Sequence, residues 1–158
     1  DNEIKRIMDK AGKFYDFYYL LLKTGIRATD AYKLKADHFD GKYLNIQMNK
    51  TGDFLSIPVP QEVLTIIKDR MDNSTIFPLL QSDRQRRSCV ENIQRLFEPG
   101  FIRTNNINLH TFRHTYAHNM LNKGVPKEVL QTLLGHRSIK TTEIYANWVR
   151  KEELERRV

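Results

Sequence analysis

The sequence predicts a mainly α-helical fold with one small antiparallel β-hairpin sheet. Apolar residues recur three and four positions apart over most of the chain, which is the spacing of a buried helix face. Over residues 42–59 they alternate with polar residues, as in strands that bury one face. The 158 residues, 40% of them hydrophobic and 28% charged, suit one domain with a single core. We therefore treat residues 1–158 as one domain.

The N-terminal part is predicted to form two helices. Residues 3–23 keep helical spacing of their apolar side chains, and Gly25 follows as a C-terminal stop. Thr29 is a candidate N-cap for a second helix over residues 29–36. Asp30 then lies in the first turn of that helix, where the helix dipole favours a negative charge.

A change of period predicts the hairpin. Two runs alternate with polar neighbours on either side of the stretch NKTGD: Leu44, Ile46 and Met48, then Leu55, Ile57 and Val59. A glycine-containing turn between two alternating runs is typical of an antiparallel hairpin. Helical spacing returns over residues 61–71.

The C-terminal half is predicted to hold four more helices. The first covers SDRQRRSCVENIQRLFE, residues 82–98, and residues 99–108 are predicted to be a loop. Three helices finish the chain: one over about residues 111–122, one from Pro126 to Gly135, and one after Ser138.

The chain is basic, with a net charge of +7 from 26 lysines and arginines against 19 acidic residues. Such a charge favours nucleic acid or an anionic membrane as partner, and an ordinary solvated surface is the alternative. No apolar run approaches the roughly 20 residues of a membrane span, so we expect no membrane partner.

Cys89 is the single cysteine, which excludes a disulfide framework and a multi-thiolate zinc site. The charged start, DNEIKRIMDK, is unlike a secretory signal, and we expect a cytoplasmic fragment of a longer protein.

Three of the five histidines lie in one run, at positions 110, 114 and 118. Positions four apart share a helix face, but zinc sites usually add a carboxylate or thiolate, and Arg113 within the run would repel a dication. We therefore expect no metal. Two interpretations stay open: a polar helix face, or an anion site in which His110 and Arg113, near a helix start, face one phosphate.

Five motifs, in order along residues 24–145, resemble those of the tyrosine recombinase (phage integrase) family. They are an arginine segment (TGIRATDAYKL), a lysine-bearing hairpin (NKTGDFLSIPVP), an H-x-x-R segment (HTFRH), and the Gly-His and tyrosine motifs of LLGHRSIKTTEIY. The resemblance implies the tyrosine recombinase catalytic fold. It also implies cleavage of one DNA strand by a tyrosine that forms a 3′-phosphotyrosyl link, with no metal and no cofactor. Family members usually carry an N-terminal DNA-clasping domain, which we expect to be absent from this chain.

The resemblance implies six catalytic residues: Arg27, Lys50, His110, Arg113, His136 and, as the nucleophile, Tyr145. These residue types suit phosphoryl transfer. Two guanidiniums clamp the non-bridging oxygens, on which negative charge gathers during attack. A tyrosine hydroxyl, with a pKa of about 10, needs a group such as histidine to take its proton, and a lysine can protonate the leaving 5′-oxygen.

Further residues are expected to support the site or to contact DNA. Asp30 stands where the family usually has glutamate, and we expect it to steady the arginine network, while His114 orients the site by hydrogen bonds. Arg84, Arg86 and Arg87 form a basic run that either contacts DNA or is a solvated helix end. The implied partners are double-stranded DNA and the other protomers of a recombinase tetramer bound to it.

Alternative functions remain open from the sequence. Residues 125–145 alone fit a helix-turn-helix regulator, which would not need Arg27 or Lys50. A type IB topoisomerase shares the chemistry without exchange partners, and a catalytically inactive DNA-binding relative is a third possibility. Tyr116 is a rival nucleophile, although it lies in an apolar stripe. Three neighbouring lysines rival Lys50: Lys33, Lys35 and Lys42.

Overall fold

The computed structural model describes residues 2–135 of the chain. Within that range the fold is mainly helical with one two-stranded antiparallel sheet, which confirms the predicted fold class. The helices are α1 (Asn2–Asp9), α2 (Tyr15–Thr24), α3 (Ala28–Ala31), α4 (Gln61–Lys68), α5 (Asp83–Gln94), α6 (Pro99–Asn105), α7 (His110–Asn122) and α8 (Lys127–Leu134). The strands are β1 (Tyr43–Gln47) and β2 (Phe54–Pro58). His136, Tyr145 and the helix predicted after Ser138 lie outside the described residues.

Helix α2 is the centre of the core. Tyr18 on this helix is fully buried, and its hydroxyl donates a hydrogen bond to the carbonyl of Cys89 in α5 at 2.6 Å. Its ring stacks on Phe112 of α7, with the ring centroids 5.1 Å apart. Burial raises the pKa of both the Tyr18 hydroxyl and the Cys89 thiol. Because α7 rests on α2 in this way, the helix that carries the histidine run is held directly against the core.

The hairpin has the predicted alternation. Leu44 pairs with Ile57 and Ile46 with Leu55, and all four side chains are buried, whereas their strand neighbours are exposed. Burying one face fixes the register, since a shift by one residue would turn these side chains to solvent. The turn that carries Lys50 is therefore held at a defined place beside the helices. None of the helices among residues 2–135 is long and apolar enough to span a membrane.

The predicted single helix over residues 3–23 is wrong, because the chain forms α1 and α2 with a short 3₁₀ turn between them. Gly12 has a φ of +55° and interrupts the helix there. The apolar spacing continues across the break since both helices bury their faces in the same core, with Ile7 on α1 and Phe17 on α2 fully enclosed. Spacing alone did not distinguish one helix from two.

The helix predicted over residues 29–36 is also too long. It begins at Ala28, one residue before the proposed cap Thr29, and ends at Ala31. Two carbonyls beyond its last residue accept hydrogen bonds from distant parts of the chain. The side-chain amide of Gln81 donates to the carbonyl of Tyr32 at 2.9 Å, and the backbone N–H of Ile76 donates to that of Leu34 at 2.9 Å. Tertiary hydrogen bonds thus end this helix after one turn.

The loop predicted over residues 99–108 contains helix α6 instead. Pro99 lies in its first turn, where a proline is well tolerated, and Phe101 stacks on Phe97 at 5.3 Å between centroids. The helix ends at Asn105 and is followed by Asn106, which has a φ of +53°. A proline–glycine pair at the start is typical of a turn, so the sequence pattern favoured the wrong element.

Gly25 ends α2 and is confirmed as its stop. Its φ is +70°, in the left-handed region, and its N–H donates to the carbonyl of Leu21 at 2.9 Å. A Cβ at this position would overlap the ring of Tyr116 on α7. Both the backbone conformation and the close approach of α7 therefore require glycine here.

Gly25→Ala is expected to lower the free energy of unfolding by about 2–6 kcal/mol, because a left-handed backbone and an overpacked contact each cost about 1–3 kcal/mol. Gly12→Ala is the matched control: its φ is also positive, but nothing lies within 4 Å of its Cβ position. It should cost only about 1–2 kcal/mol. Urea denaturation measures both, and equal losses would show that contact with Tyr116 does not constrain Gly25.

Candidate active site

Arg113 joins two distant turns of the backbone. It lies on α7 and is only 4% exposed. Its Nη1 donates to the carbonyl of Gly25 at 2.6 Å, and its Nη2 donates to the carbonyl of Leu134 at 2.8 Å. Carbonyl oxygens orient a guanidinium without neutralising its charge. The turn after α2 and the end of α8 are thus held on either side of one buried cation.

Arg27 follows the first of these turns. It is half-buried and has an extended backbone, with φ −70° and ψ 143°, immediately before α3. Its Nη1 lies 3.4 Å from the sulfur of Met48 at the end of β1. Gly25, two residues before Arg27 in the chain, accepts a hydrogen bond from Arg113. The positions of the two predicted catalytic arginines are therefore linked through the backbone of residues 25–27.

The hairpin turn that carries Lys50 is clamped by residues of the α3 segment. Asp30, buried at 5% exposure, accepts a hydrogen bond from the N–H of Asn49 at 2.7 Å. Lys33 donates from Nζ to the side-chain oxygen of Asn49, also at 2.7 Å. We predicted that Asp30 steadies the arginine network. The hydrogen bond described here joins its carboxylate to the lysine turn at Asn49. Lys50 itself is exposed on this turn.

His110 begins α7 and lies among the other predicted groups. Its N–H donates to the side chain of Asn108 at 2.7 Å, which satisfies one of the open donors at the helix start. Although the residue as a whole is exposed, its ring meets the ring of His114 edge-on, with centroids 4.6 Å apart, so one side of the ring is covered. The pKa of His110 is lowered to about 4, first by partial loss of water around the ring and then by the positive charges of His114, Arg113, Arg27 and Lys50.

Contacts link the segments that carry the described candidates, because Arg113 binds the carbonyl of Gly25, two residues before Arg27, and Arg27 contacts Met48, two residues before Lys50. Positive charges on three separate segments, at Arg113, Arg27 and Lys50, act on the same ring. With its pKa near 4, the imidazole of His110 is neutral at pH 7. A site with this much positive charge around a neutral histidine is suited to bind an anion, and a phosphate diester carries the matching charge.

The remaining histidines of the run differ in their surroundings. His114 is half-buried, and burial together with the charge of Arg113 lowers its pKa. His118 lies one turn further along α7, where a ring nitrogen is 3.1 Å from the side-chain nitrogen of Asn122. Among residues 2–135, no three histidine, cysteine or acidic side chains lie close enough together to hold a metal ion.

The three arginines proposed as DNA contacts are not equivalent. Arg84 and Arg87 are exposed on α5. Arg86 points back to the protein: its Nε donates to the carbonyl of Leu80 at 2.8 Å, and its guanidinium lies 4.6 Å from the ring centroid of Tyr32. Arg86 therefore also holds the segment before α5, and Arg84, Arg86 and Arg87 all stay predictions as DNA contacts.

Tyr116, the rival nucleophile, packs into the fold. It is 8% exposed, its ring lies against Gly25, and burial raises the pKa of its hydroxyl. A raised pKa opposes formation of the phenolate that attacks phosphorus. Tyr116 therefore has a packing role that explains why it is a tyrosine within the apolar stripe.

Sequence reasoning missed three residues that shape this site: Lys33, Met48 and Asn49. Lys33 was weighed as a rival to Lys50, but its ammonium is bonded to Asn49. Met48 was predicted only as a buried strand residue. Nothing local in the sequence distinguishes these contacts, because each joins segments about 16 to 21 positions apart.

The fold is that of tyrosine recombinase catalytic domains. A crystal structure of XerA recombinase superposes with a TM-score of 0.71 at 22% identity over 99% of this chain and 62% of that chain. A lambda integrase dimer bound to a COC′ core site gives a TM-score of 0.69 at 20% identity, over 92% of this chain and 46% of that chain.

The chain belongs to the phage integrase family, whose model matches residues 1–152. The tyrosine recombinase XerA of Pyrococcus furiosus is 31% identical over 134 residues, which cover 80% of this chain and 47% of that protein. A resolvase of Escherichia coli K12 is 61% identical over a stretch of 36 residues, 23% of this chain and 13% of that protein. The chain thus spans about half the length of the XerA relative.

Asp30→Ala is expected to loosen the lysine turn. Removing the carboxylate that accepts the Asn49 N–H should speed hydrogen exchange of that amide about tenfold or more, since a bond to a charged group contributes about 1.5–3 kcal/mol. Asp40→Ala is the control, because Asp40 accepts from Lys42 and Tyr43 at the opposite end of β1. Unchanged exchange at Asn49 in the Asp30 variant would show that the carboxylate does not hold the turn.

His110 should titrate near pH 4 in the free protein, well below the usual histidine value of about 6.5. Lys50→Met removes a positive charge that disfavours the imidazolium, so it should raise this pKa. Lys42→Met, at the far end of the hairpin, should leave it in place. Ring-proton NMR across pH 3–8 measures all three proteins, and a wild-type midpoint near 6.5 would contradict the proposed convergence of charges.

Proposed function

We propose that this chain is the catalytic domain of a site-specific DNA recombinase, in which Tyr145 cleaves and rejoins DNA strands. The observation that carries the proposal is the buried guanidinium of Arg113, which binds the carbonyl of Gly25 next to the segment of Arg27 and the carbonyl of Leu134 at the end of α8. Family membership supports it, since the matched relatives include proteins named tyrosine recombinases. In the whole protein, a separate domain would clasp the opposite side of the DNA.

The reaction proceeds by exchange at one phosphorus atom. The hydroxyl oxygen of Tyr145 attacks the scissile phosphate, the bond from phosphorus to the 5′-oxygen breaks, and a 3′-phosphotyrosine forms. Arg27 and Arg113 bind the non-bridging oxygens, where negative charge increases. Lys50 gives its proton to the leaving 5′-oxygen. A 5′-hydroxyl of a partner strand then attacks the same phosphorus and releases the tyrosine, so rejoining needs no ATP.

Histidines handle the proton of the nucleophile in this scheme. A neutral His110 offers either a ring nitrogen that accepts the tyrosine proton or an N–H that binds a phosphate oxygen. His136 is the second candidate for this step. In the sequence it comes two residues after Leu134, whose carbonyl accepts a hydrogen bond from Arg113. Because the negative charge of a bound phosphate favours the imidazolium, DNA binding raises the pKa of His110 and prepares it to hold a proton.

Duplex DNA and further protomers are the partners we propose. The net charge of +7 favours a polyanion, and binding through phosphates makes affinity fall with salt. Related structures include a lambda integrase tetramer bound to a Holliday junction, which supports a tetramer on paired sites here too. A chromosomal or plasmid substrate places the protein on the nucleoid in the cytoplasm.

A helix-turn-helix regulator explains these features less well. In that alternative α8 and the following segment would read bases alone, with no need for a buried arginine behind them. Arg113 instead bonds the last residue of α8, which makes the end of that helix part of the cluster. A type IB topoisomerase shares the cleavage step, and transfer of a strand between two different duplexes separates it from a recombinase.

Tyr145→Phe is expected to abolish covalent attachment to DNA while leaving DNA affinity within about twofold, because only the nucleophilic oxygen is lost. A pool of nicked duplexes of varied sequence releases a short fragment on cleavage, so the adduct accumulates and resists denaturation. Tyr116→Phe is the matched control and should retain the adduct, since its hydroxyl is buried and its pKa is raised.

Two results would contradict these assignments. An adduct that persists in Tyr145→Phe and disappears in Tyr116→Phe would make Tyr116 the nucleophile. DNA binding without any adduct in the wild-type chain and in the full-length protein would favour a DNA-binding protein without this chemistry.

A further inference from the structure

Met48 occupies the junction between three segments that carry predicted catalytic residues. It is 2% exposed and follows the last residue of β1. Its sulfur lies 3.4 Å from Nη1 of Arg27. A Cβ placed on Gly135 would lie 2.5 Å from the same sulfur and 2.9 Å from the terminal methyl group, so the backbone before His136 runs directly against this side chain.

The backbone of Met48 also closes the lysine turn. Its N–H donates to the carbonyl of Asp53 at 2.8 Å, and its carbonyl accepts from the N–H of Gly52 at 2.8 Å. These two bonds enclose Lys50 in the turn. The residue therefore sets the base of the turn through its backbone and contacts Arg27 and Gly135 through its side chain.

We propose that Met48 is a positioning residue that places Lys50 and Arg27 relative to Gly135, the residue that precedes His136 in the sequence. The inference rests on the proposed function, because Met48 is said to position these residues for DNA cleavage. Displacing this side chain would move the first arginine and the lysine turn together, while the phosphate-binding and proton-donating groups themselves stay intact.

The chemistry of methionine suits this place. Its unbranched, flexible side chain fills irregular gaps, and its thioether is a weak acceptor for a guanidinium N–H. Gly135, with a φ of +72°, leaves room for the sulfur that any larger residue would fill. Leu44 is similarly buried, but it lies near the start of β1, where it pairs with Ile57 at the end of the hairpin away from Lys50.

The test compares Met48→Ala with Leu44→Ala, which removes a similarly buried side chain from the same hairpin. Single-turnover cleavage of a nicked duplex is measured at a temperature where thermal unfolding shows both variants to be folded. Met48→Ala is expected to cleave about 10- to 100-fold more slowly, because misplacing reacting groups by about 1 Å costs up to that much. Leu44→Ala should stay within about threefold of wild type, and DNA affinity should be unchanged in both.

Two further arms distinguish positioning from general loss of packing. Met48→Leu conserves volume, and it should restore most of the lost rate. A substrate with sulfur in place of the bridging 5′-oxygen needs no proton from Lys50, because a thiol is far more acidic than an alcohol. The deficit of Met48→Ala should shrink on this substrate without vanishing, since Arg27 remains displaced.

The outcomes separate this inference from the function on which it rests. If wild type forms an adduct and Met48→Ala cleaves as fast as Leu44→Ala, the positioning role is overturned and the recombinase assignment stands. An equal deficit of Met48→Ala on the sulfur and oxygen substrates would overturn the placement of Lys50. If wild type forms no adduct on any substrate, the proposed function fails and the inference fails with it.

Discussion

The site depends on one interaction, the buried guanidinium of Arg113 between the carbonyls of Gly25 and Leu134. Burying a cation is costly unless its donors are satisfied, and charge-assisted bonds of 2.6 and 2.8 Å offset that cost. Both acceptors lie at the ends of helices, where carbonyls have no partner within the helix. The arginine thus satisfies two helix ends while it fixes the distance between the segments that follow them.

Helix α7 connects this interaction to the core. Phe112, next to Arg113, stacks on Tyr18, and Tyr116 lies one turn further on against Gly25. His110 projects from the first turn of the same helix among the positive groups. One face of α7 therefore packs while its start presents charge, so the catalytic candidates inherit their positions from contacts in the hydrophobic core. The absence of a side chain at Gly25 is what lets the two helices approach closely enough.

Like charges gathered in one place repel one another, and after partial burial, which is the larger cause, they contribute to the lowered pKa of His110. The lysine turn keeps its place in this arrangement because the Asp30 carboxylate accepts a hydrogen bond from the N–H of Asn49, the residue before Lys50. Under the proposed function, binding of a phosphate diester relieves the repulsion, which couples the stability of the site to its occupation by DNA. A site that is unfavourable when empty and favourable when filled binds its anion strongly and holds the reacting groups ready around it.

Local patterns in the sequence determined the fold class, the hairpin with its alternating buried face, the end of α2 at Gly25 and the order of the catalytic motifs. Each of these follows from periodicity or from a residue type within a few positions, and both are local properties. Only the tertiary structure decided that α3 ends after one turn, that Arg86 is bonded to Leu80, and that Met48 contacts both Arg27 and Gly135. These depend on donors and surfaces supplied by segments far away in the chain, and no local pattern encodes which distant partner will reach a given carbonyl or side chain.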